Sequence, residues 1–224
     1  MQMTQIRIMT FLAAAAFARA LLAPTEAGAH PHVFIDTAIT LIMDDQSQLT
    51  GVEVTWVYDD FYSLLILQDM GLDEDADGVL TPTELERVAG WDMKWDQGYE
   101  GDLYIHAPDA TPIALSGPTP ITTKVIEGQL VSVHRRDLET PVPGNGLTVR
   151  AYDPEFYTAY DLTGGILMGG EPADCHPAIS RPDEDAAYKE AQQVMSEFQE
   201  DAIGVPLLGH VFAETVTLQC TPAN

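Results

Sequence analysis

The sequence predicts a mainly β protein of the α+β class: an antiparallel β-sandwich with an inserted helix-loop-helix and one C-terminal surface helix. Short segments of alternating apolar and polar residues, rich in β-branched residues, recur along the chain. Turn sequences such as PGNG separate several of them. Only two regions interrupt this pattern with helical periodicity, which leaves too few helices between the strands for repeated βαβ units.

Residues 1–29 have the features of a secretory signal peptide. Arg7 precedes the apolar run IMTFLAAAAFARALLA, and the small triplet AGA ends at Ala29. The run is short, alanine-rich and interrupted by an arginine, whereas a membrane span needs about 20 apolar residues. Cleavage after Ala29 is expected to leave residues 30–224 as a single exported domain that is not inserted in a membrane; the alternative is an uncleaved anchor.

Seven segments are predicted as strands because they alternate apolar and polar residues and are rich in Val, Ile, Thr and aromatic residues. The segments are HVFIDTAITLIM, LTGVEVTWVY, DLYIHA, QLVSVHRRDL, LTVRAYD, FYTAYDL and HVFAETVTLQC.

Two regions are predicted to be helical. The segments DDFYSLLILQDMGL and PTELERVAGWDMKW form an EF-hand-like insert at about residues 59–97. The segment DEDAAYKEAQQVMSEFQ forms the C-terminal surface helix. Its apolar face is predicted to consist of Tyr188, Val194, Met195 and Phe198.

Between the first two helices lies the acidic loop DEDADGVLTPTE, whose spacing matches the 12-residue calcium loop of an EF-hand. Carboxylates at alternate positions, a glycine at position 6 and a bidentate Glu at position 12 let such a loop wind around the ion. The residues at the ligand positions are Asp73, Asp75, Asp77, Val79 (through its carbonyl), Thr81 and Glu84. The alternative is a solvated helical turn whose aspartates only cap helices.

Because the chain contains one such loop, we expect calcium to stabilise the insert rather than to act as a signal. The segment TPTE independently predicts the start of the second helix, with Thr81 as the N-cap and Glu84 completing a capping box.

Charge and cysteine content restrict the function further. The chain has 35 acidic and 10 basic residues and a formal charge of −25, which disfavours nucleic acid and anionic lipid and favours cations. Cys175 and Cys220 predict a disulfide in an exported protein, which would add about 4 kcal/mol of stability by loop closure. A free thiol, or a metal site at Cys175 and His176, is the alternative.

Signal cleavage would make His30 the amino terminus and create a possible metal site in the sequence HPHVFID. The α-amine and imidazole of His30 can close a chelate ring, and His32 can add a third nitrogen, a set that suits copper, zinc or nickel. Asp36 falls on the same strand face as His32, so its carboxylate could orient His32 or bind the ion. The alternative is that HPH is only the frayed start of a strand.

The remaining histidines are expected to be structural more often than metal-binding, and His106 is the better candidate to join the terminal site because His134 precedes two arginines. These four residues are His106, His134, His176 and His210.

The motifs HPHVFID, DEDADGVLTPTEL and YDPEFYTAYDL, together with the C-terminal cysteine, make the chain resemble a domain-of-unknown-function family of Gram-negative periplasmic proteins. Members of that family are often labelled ABC-type transport periplasmic components and are associated with nickel/cobalt-type exporter permeases. The resemblance implies a periplasmic location, a link to transition-metal handling, and His30, His32 and Asp36 as motif residues.

These observations predict a periplasmic, metal-binding accessory protein for transition-metal transport. Its expected cofactors are calcium and a transition metal such as copper, zinc, nickel or cobalt, and its expected partners are metal cations and a membrane metal permease. The alternative is a calcium-dependent interaction module in which the histidine terminus is incidental. An enzyme is not expected, because the sequence has no nucleophile motif such as GxSxG.

Overall fold

The computed structural model describes residues 31–170, 175–197 and 206–221, so the predicted signal peptide and His30 lie outside the described residues. Within these ranges the chain is mainly β, as predicted. The strands are β1 (Val33–Met43), β2 (Gln48–Tyr58), β3 (Leu103–His106), β4 (Pro112–Ile113), β5 (Thr119–Ile126), β6 (Gln129–Pro143), β7 (Thr148–Ala151), β8 (Thr158–Gly170), β9 (Cys175–Ser180) and β10 (Thr215–Cys220). The helices are α1 (Asp60–Asp69), α2 (Pro82–Val88), a 3₁₀ turn (Trp91–Met93), α3 (Glu184–Glu197) and α4 (Gly209–Phe212).

The strands form two five-stranded sheets. One has the order β5-β6-β2-β1-β8 and the other β4-β3-β7-β10-β9. Neighbouring strands are antiparallel, with Ile39 of β1 opposite Val54 of β2, except that β1 and β8 are parallel. The expectation of purely antiparallel sheets is therefore wrong at this one pair.

Glycines allow β8 to lie parallel to and very close beside β1. A Cβ at Gly164 would lie 2.6 Å from the Cβ of Ala38, which is too close for any side chain. The backbone of β8 therefore approaches β1 where the segment FYTAYDLTGGILMGG contains paired glycines. The alternation in the sequence predicts a strand only as far as Leu162, whereas β8 continues to Gly170.

The core lies between the two sheets, whose inward side chains form one hydrophobic cluster. The alternation read from the sequence explains β1, where every second residue from Val33 to Met43 is buried. Members of the cluster from both sheets that are at most 2% exposed include Ile39, Leu41, Leu49, Ile105, Leu147 and Leu218.

Two expectations about the C-terminal region are wrong. The segment HVFA at residues 210–213, expected to begin the last strand, instead forms most of α4. The buried residues of α3 are Ala187 and Ala191, and the residues predicted to form its apolar face are largely exposed. Small alanines allow this helix to pack closely, so the larger side chains point outward. The exposed residues are Tyr188, Val194 and Met195, and Phe198 lies outside the described residues.

The second helical segment of the insert, expected to run through residue 95, is shorter than expected, since α2 ends at Val88 and is followed by the 3₁₀ turn. In the described part of the chain, no helix is long and apolar enough to cross a membrane.

Candidate functional site

The acidic loop lies between α1 and α2, and both of its flanks are fixed. Leu72 and Leu80 are 3% and 7% exposed and belong to the hydrophobic core. The Asp59 side chain caps α1 by accepting a hydrogen bond from Tyr62 N. These contacts hold the ends of the loop, so the polar residues between them project into solvent from a rigid base.

Within the loop, the Asp73 carboxylate organises the backbone. Its Oδ1 accepts hydrogen bonds from Asp77 N at 3.0 Å and Gly78 N at 3.2 Å. Gly78 has a φ of +75°, a conformation that glycine adopts without steric cost. The fold-back brings carboxylate oxygens of Asp73, Asp75 and Asp77 within 4.8 Å of one another. Among the described residues, this is the one group of three or more His, Cys, Asp or Glu side chains that could hold a metal ion.

Glu84 joins the two ends of the loop. Its Oε1 accepts a hydrogen bond from Asp73 N at 2.9 Å, and its Oε2 accepts bonds from the backbone N and the hydroxyl of Thr81 at 2.8 and 2.7 Å. The bond from the Thr81 hydroxyl, followed by those from the backbone N–H groups of Thr81 and Asp73, holds the pKa of Glu84 below its usual value. The predicted capping box at Thr81 is present.

Three of the six predicted calcium ligands therefore have their carboxylates close together, and the other three are tied to the same loop by hydrogen bonds. The carboxylate group of three does not include Glu84. Val79 N donates to Asp77 Oδ1 at 2.8 Å, so Val79 is tied to the same loop. The donor set is made of hard oxygen atoms, and this chemistry fits calcium better than a soft transition metal.

The second predicted site begins at the first described residues. His32 N donates to the Tyr157 carbonyl at 2.8 Å, and the centres of the two rings are 4.9 Å apart. His32 and Asp36 are exposed on the same side of β1, as the alternation predicts. At about 3.3 Å per residue, their Cα atoms are roughly 13 Å apart. This separation is too long for both side chains to bind one ion.

Asp36 has a second carboxylate beside it. It lies in parallel register with Asp161 of β8. Burial, followed by repulsion from Glu214 and Asp36, raises the pKa of Asp161. Sequence reasoning did not single out Asp161 or Glu214, although Asp161 lies within the motif YDPEFYTAYDL. The face of β1 that follows His32 therefore carries a concentrated negative charge.

His134 is a core residue. It is fully buried, and its ring packs against those of Trp56 and Trp95 with centroid distances of 4.7 and 5.6 Å. Neither ring nitrogen has a hydrogen-bond partner among the described residues. Burial, and to a lesser degree the Arg136 guanidinium, lowers the pKa of His134 to about 4. The ring is therefore neutral at physiological pH.

The other three histidines are separate from one another in the fold. His106 lies at the end of β3, His176 in β9 opposite Gln219, and His210 in α4. None of them joins a metal-binding group of three in the described residues. The structure gives no support to a role for His106 beside His32.

A buried carboxylate, Asp102, also escaped sequence reasoning. It is 7% exposed and accepts hydrogen bonds from the hydroxyls of Tyr99 and Tyr160 at 2.8 and 2.9 Å. Burial raises the pKa of Asp102 to about 6 despite these two bonds. Tyr99 is only three residues from Asp102, but Tyr160 is 58 residues away, so the group of three forms only when β8 packs against this segment.

The predicted disulfide is confirmed. Cys175 and Cys220 are bonded and lie opposite each other in the β9–β10 pair. This bond excludes a free thiol or a metal-bound thiolate at Cys175. It joins the last strand to its neighbour at the edge of the second sheet.

Comparison with known proteins places the chain in a family without assigning it an activity. Residues 15–220 match the family described as "Protein of unknown function (DUF1007)". No curated protein matches the chain. Because the match spans nearly the whole sequence, including both sheets and the acidic loop, the chain belongs to the DUF1007 family.

Proposed function

We propose that this protein is a periplasmic, metal-binding accessory protein for transition-metal transport, in which calcium stabilises the insert. The acidic loop carries the calcium part of the proposal, and the motif HPHVFID carries the transition-metal part. Three carboxylates converge in the acidic loop, and Glu84 closes the loop by bonding its first residue. The net charge of −25 adds a field that attracts cations.

For the calcium site, the proposed ligands span the whole loop. Their oxygen count meets the six to eight that calcium prefers. They are the side chains of Asp73, Asp75, Asp77 and Glu84, the Val79 carbonyl, and Thr81 directly or through water. Glu84 also takes part in the cap of α2, so ion binding and the start of that helix would be coupled.

For the transition metal, the proposed ligands are the α-amine and imidazole of His30 and the imidazole of His32. Nitrogen ligands favour copper, zinc, nickel or cobalt over calcium. Asp36 is too far along β1 to share the ion with His32, and we assign it an electrostatic role together with Asp161. A membrane metal permease would be the partner that receives or delivers the ion.

A second candidate function, a calcium-dependent interaction module, is favoured by α1. Phe61, Leu64 and Leu65 occur at helical spacing and are 75%, 51% and 47% exposed. Large apolar residues exposed together beside a metal-type loop are typical of a docking surface. Partner binding that requires calcium but not His30 would favour this function over metal delivery.

The calcium proposal is tested by thermal unfolding with and without calcium. An ion present at about 100 times its Kd would stabilise the fold by about 2.7 kcal/mol. We expect Glu84→Gln to abolish most of the calcium-induced rise in Tm, because Gln keeps the helix cap but removes the bidentate ligand. Glu86→Gln is the matched control, since it removes the same charge from an exposed position of α2. Equal calcium responses in wild type and Glu84→Gln would refute the site.

The transport proposal is tested by measuring the metal content of protein purified from the periplasm, with its mature terminus sequenced. A transition metal bound to protein that begins at His30 would support it. Correctly processed protein that contains calcium alone and binds no added copper, zinc, nickel or cobalt would contradict it.

A further inference from the structure

A cavity of about 510 Å³ opens between β8, the start of β1 and the two C-terminal helices. Six of its lining residues are aromatic. Phe156 and Phe212 stack with centroids 4.3 Å apart, and Tyr188 packs edge-on against Phe212 at 5.2 Å. Phe34 of β1, Tyr160 of β8 and Tyr152 complete the aromatic part of the lining. A cavity of this size and composition can enclose a small organic molecule.

The wall of this cavity is fixed by backbone packing. Gly209 at the start of α4 donates its N–H to the Pro154 carbonyl at 3.1 Å. A Cβ at Gly209 would lie 1.7 Å from the Asp153 carbonyl oxygen, so no other residue fits there. This contact holds α4, and with it Phe212, against the loop that carries Phe156.

The cavity has an excess of negative charge. Its lining includes three carboxylates, those of Asp161, Glu184 and Glu214, and one cation, Arg181. Arg181 is paired with Glu214 at 2.6 Å, and the other carboxylate oxygen of Glu214 accepts the N–H of Leu162 at 2.8 Å. Glu214 is therefore satisfied on both oxygens.

The carboxylate of Asp161 is different, because this exposed residue makes no side-chain hydrogen bond or ion pair to any described residue. Partial burial is the main cause that raises the pKa of Asp161, and repulsion from the carboxylates of Glu214 and Asp36 raises it further. A cation bound between the aromatic walls and Asp161 would relieve this repulsion. The carboxylates of Asp161, Glu214 and Asp36 are not among the groups of three that could hold a metal ion, so a metal ion is the less suitable occupant.

We propose that this cavity binds a small organic ammonium ion, whose apolar body contacts the rings of Tyr188 and Phe212 and whose charge faces Asp161. Aromatic faces attract cations, most strongly when the cation is weakly hydrated. A primary or quaternary amine with an apolar substituent satisfies both parts of the cavity, whereas an anion would be repelled by the carboxylates. No residue of the acidic loop lines this cavity, whereas Pro31 of the histidine terminus does, so the cavity adjoins the proposed transition-metal site.

The test uses benzyltrimethylammonium as the probe, because its charge does not change with pH. Benzyl alcohol serves as the neutral analogue and benzenesulfonate as the anionic one. Binding is measured by chemical-shift changes of backbone amides in the disulfide-bonded mature protein, with calcium held constant. We expect saturable shifts in residues of α3, α4 and β8 for the cation only, and an affinity about tenfold lower for benzyl alcohol.

Matched variants distinguish a built site from the general attraction of an acidic protein. Asp161→Asn should weaken the cation about tenfold, whereas Glu139→Gln, which removes one exposed charge from β6, should leave the affinity within about twofold. Tyr188→Ala should lower the affinity for both the cation and benzyl alcohol. It should not unfold the protein, because Tyr188 is 58% exposed.

Three results would overturn the proposal. Equal losses in Asp161→Asn and Glu139→Gln would show that binding follows net charge. Shifts that map to the α1 surface, or saturation by a basic peptide but not by the small cation, would assign the interaction to another surface or another class of ligand. The absence of saturable cation binding would also reject it.

Discussion

Replacing His134 with Leu tests the reasoning about the buried core, because it removes one titrating group and little else. The two side chains have similar volumes, and neither ring nitrogen of His134 has a partner among the described residues that would be left unsatisfied. At neutral pH we therefore expect the free energy of unfolding to change by less than about 1.5 kcal/mol.

The effect of this replacement should appear on acidification. In the folded protein the pKa of His134 is about 4, against about 6.5 in an unfolded chain. Between these values the unfolded chain binds a proton that the folded chain does not, so the free energy of unfolding rises with pH. The full effect is about 3 kcal/mol, and about 2 kcal/mol of it falls between pH 7 and pH 5.

The assay is urea unfolding of wild type and His134→Leu at pH 7 and at pH 5 in calcium-free buffer. Relative to the variant, wild type should lose about 2 kcal/mol on acidification, a midpoint shift of about 1 M urea at a typical m-value. His106→Leu is the control, because that ring is partly exposed at the end of β3. Parallel pH profiles for wild type and His134→Leu would refute a neutral, buried His134.

Two further predictions concern the same fold. Asp102→Asn should have the opposite pH dependence, because the pKa of Asp102 is raised to about 6 and the folded protein retains a proton that the unfolded chain has lost. Wild type should therefore lose about 2 kcal/mol relative to the variant between pH 4 and pH 7. Urea unfolding measures this, and a difference that does not vary with pH would contradict it. Replacing Cys175 and Cys220 with Ser should lower stability by about 4 kcal/mol for a bond that spans 45 residues, without changing calcium affinity. Calorimetry and a calcium titration test both statements, and an unchanged Tm or an altered calcium affinity would count against them.

The sequence was sufficient wherever a local pattern determined the structure. Alternation in β1 predicted which residues are buried, and the spacing of Asp73, Asp75 and Asp77 predicted a loop in which their carboxylates converge. The capping box at Thr81 was readable because its two partners are three residues apart. The disulfide followed from having two cysteines in a chain that the sequence predicts to be exported.

What could not be predicted depends on contacts between distant segments. The parallel pairing of β8 with β1 places Asp161 beside Asp36, and neither residue signals the other in sequence. The burial of His134 depends on Trp95 of the insert folding over β6. The face of α3 was assigned wrongly because large apolar residues were given more weight than Ala187 and Ala191, which the packing buries.

Core packing does not determine the identity of exposed residues. His32 and the α1 residues Phe61, Leu64 and Leu65 contribute little to the core while exposed, so their presence is better explained by an interaction than by stability.

The central claim, that the processed amino terminus binds a transition metal, is tested most directly by calorimetric titration of copper, nickel and zinc into two forms of the protein. One form begins at His30 and the other carries one additional Gly before it. The account predicts that the Gly-extended form binds about tenfold or more weakly, with unchanged Tm and calcium affinity, and that affinity of the native form falls as pH drops through about 6.5. Equal affinities for the two forms would contradict the claim.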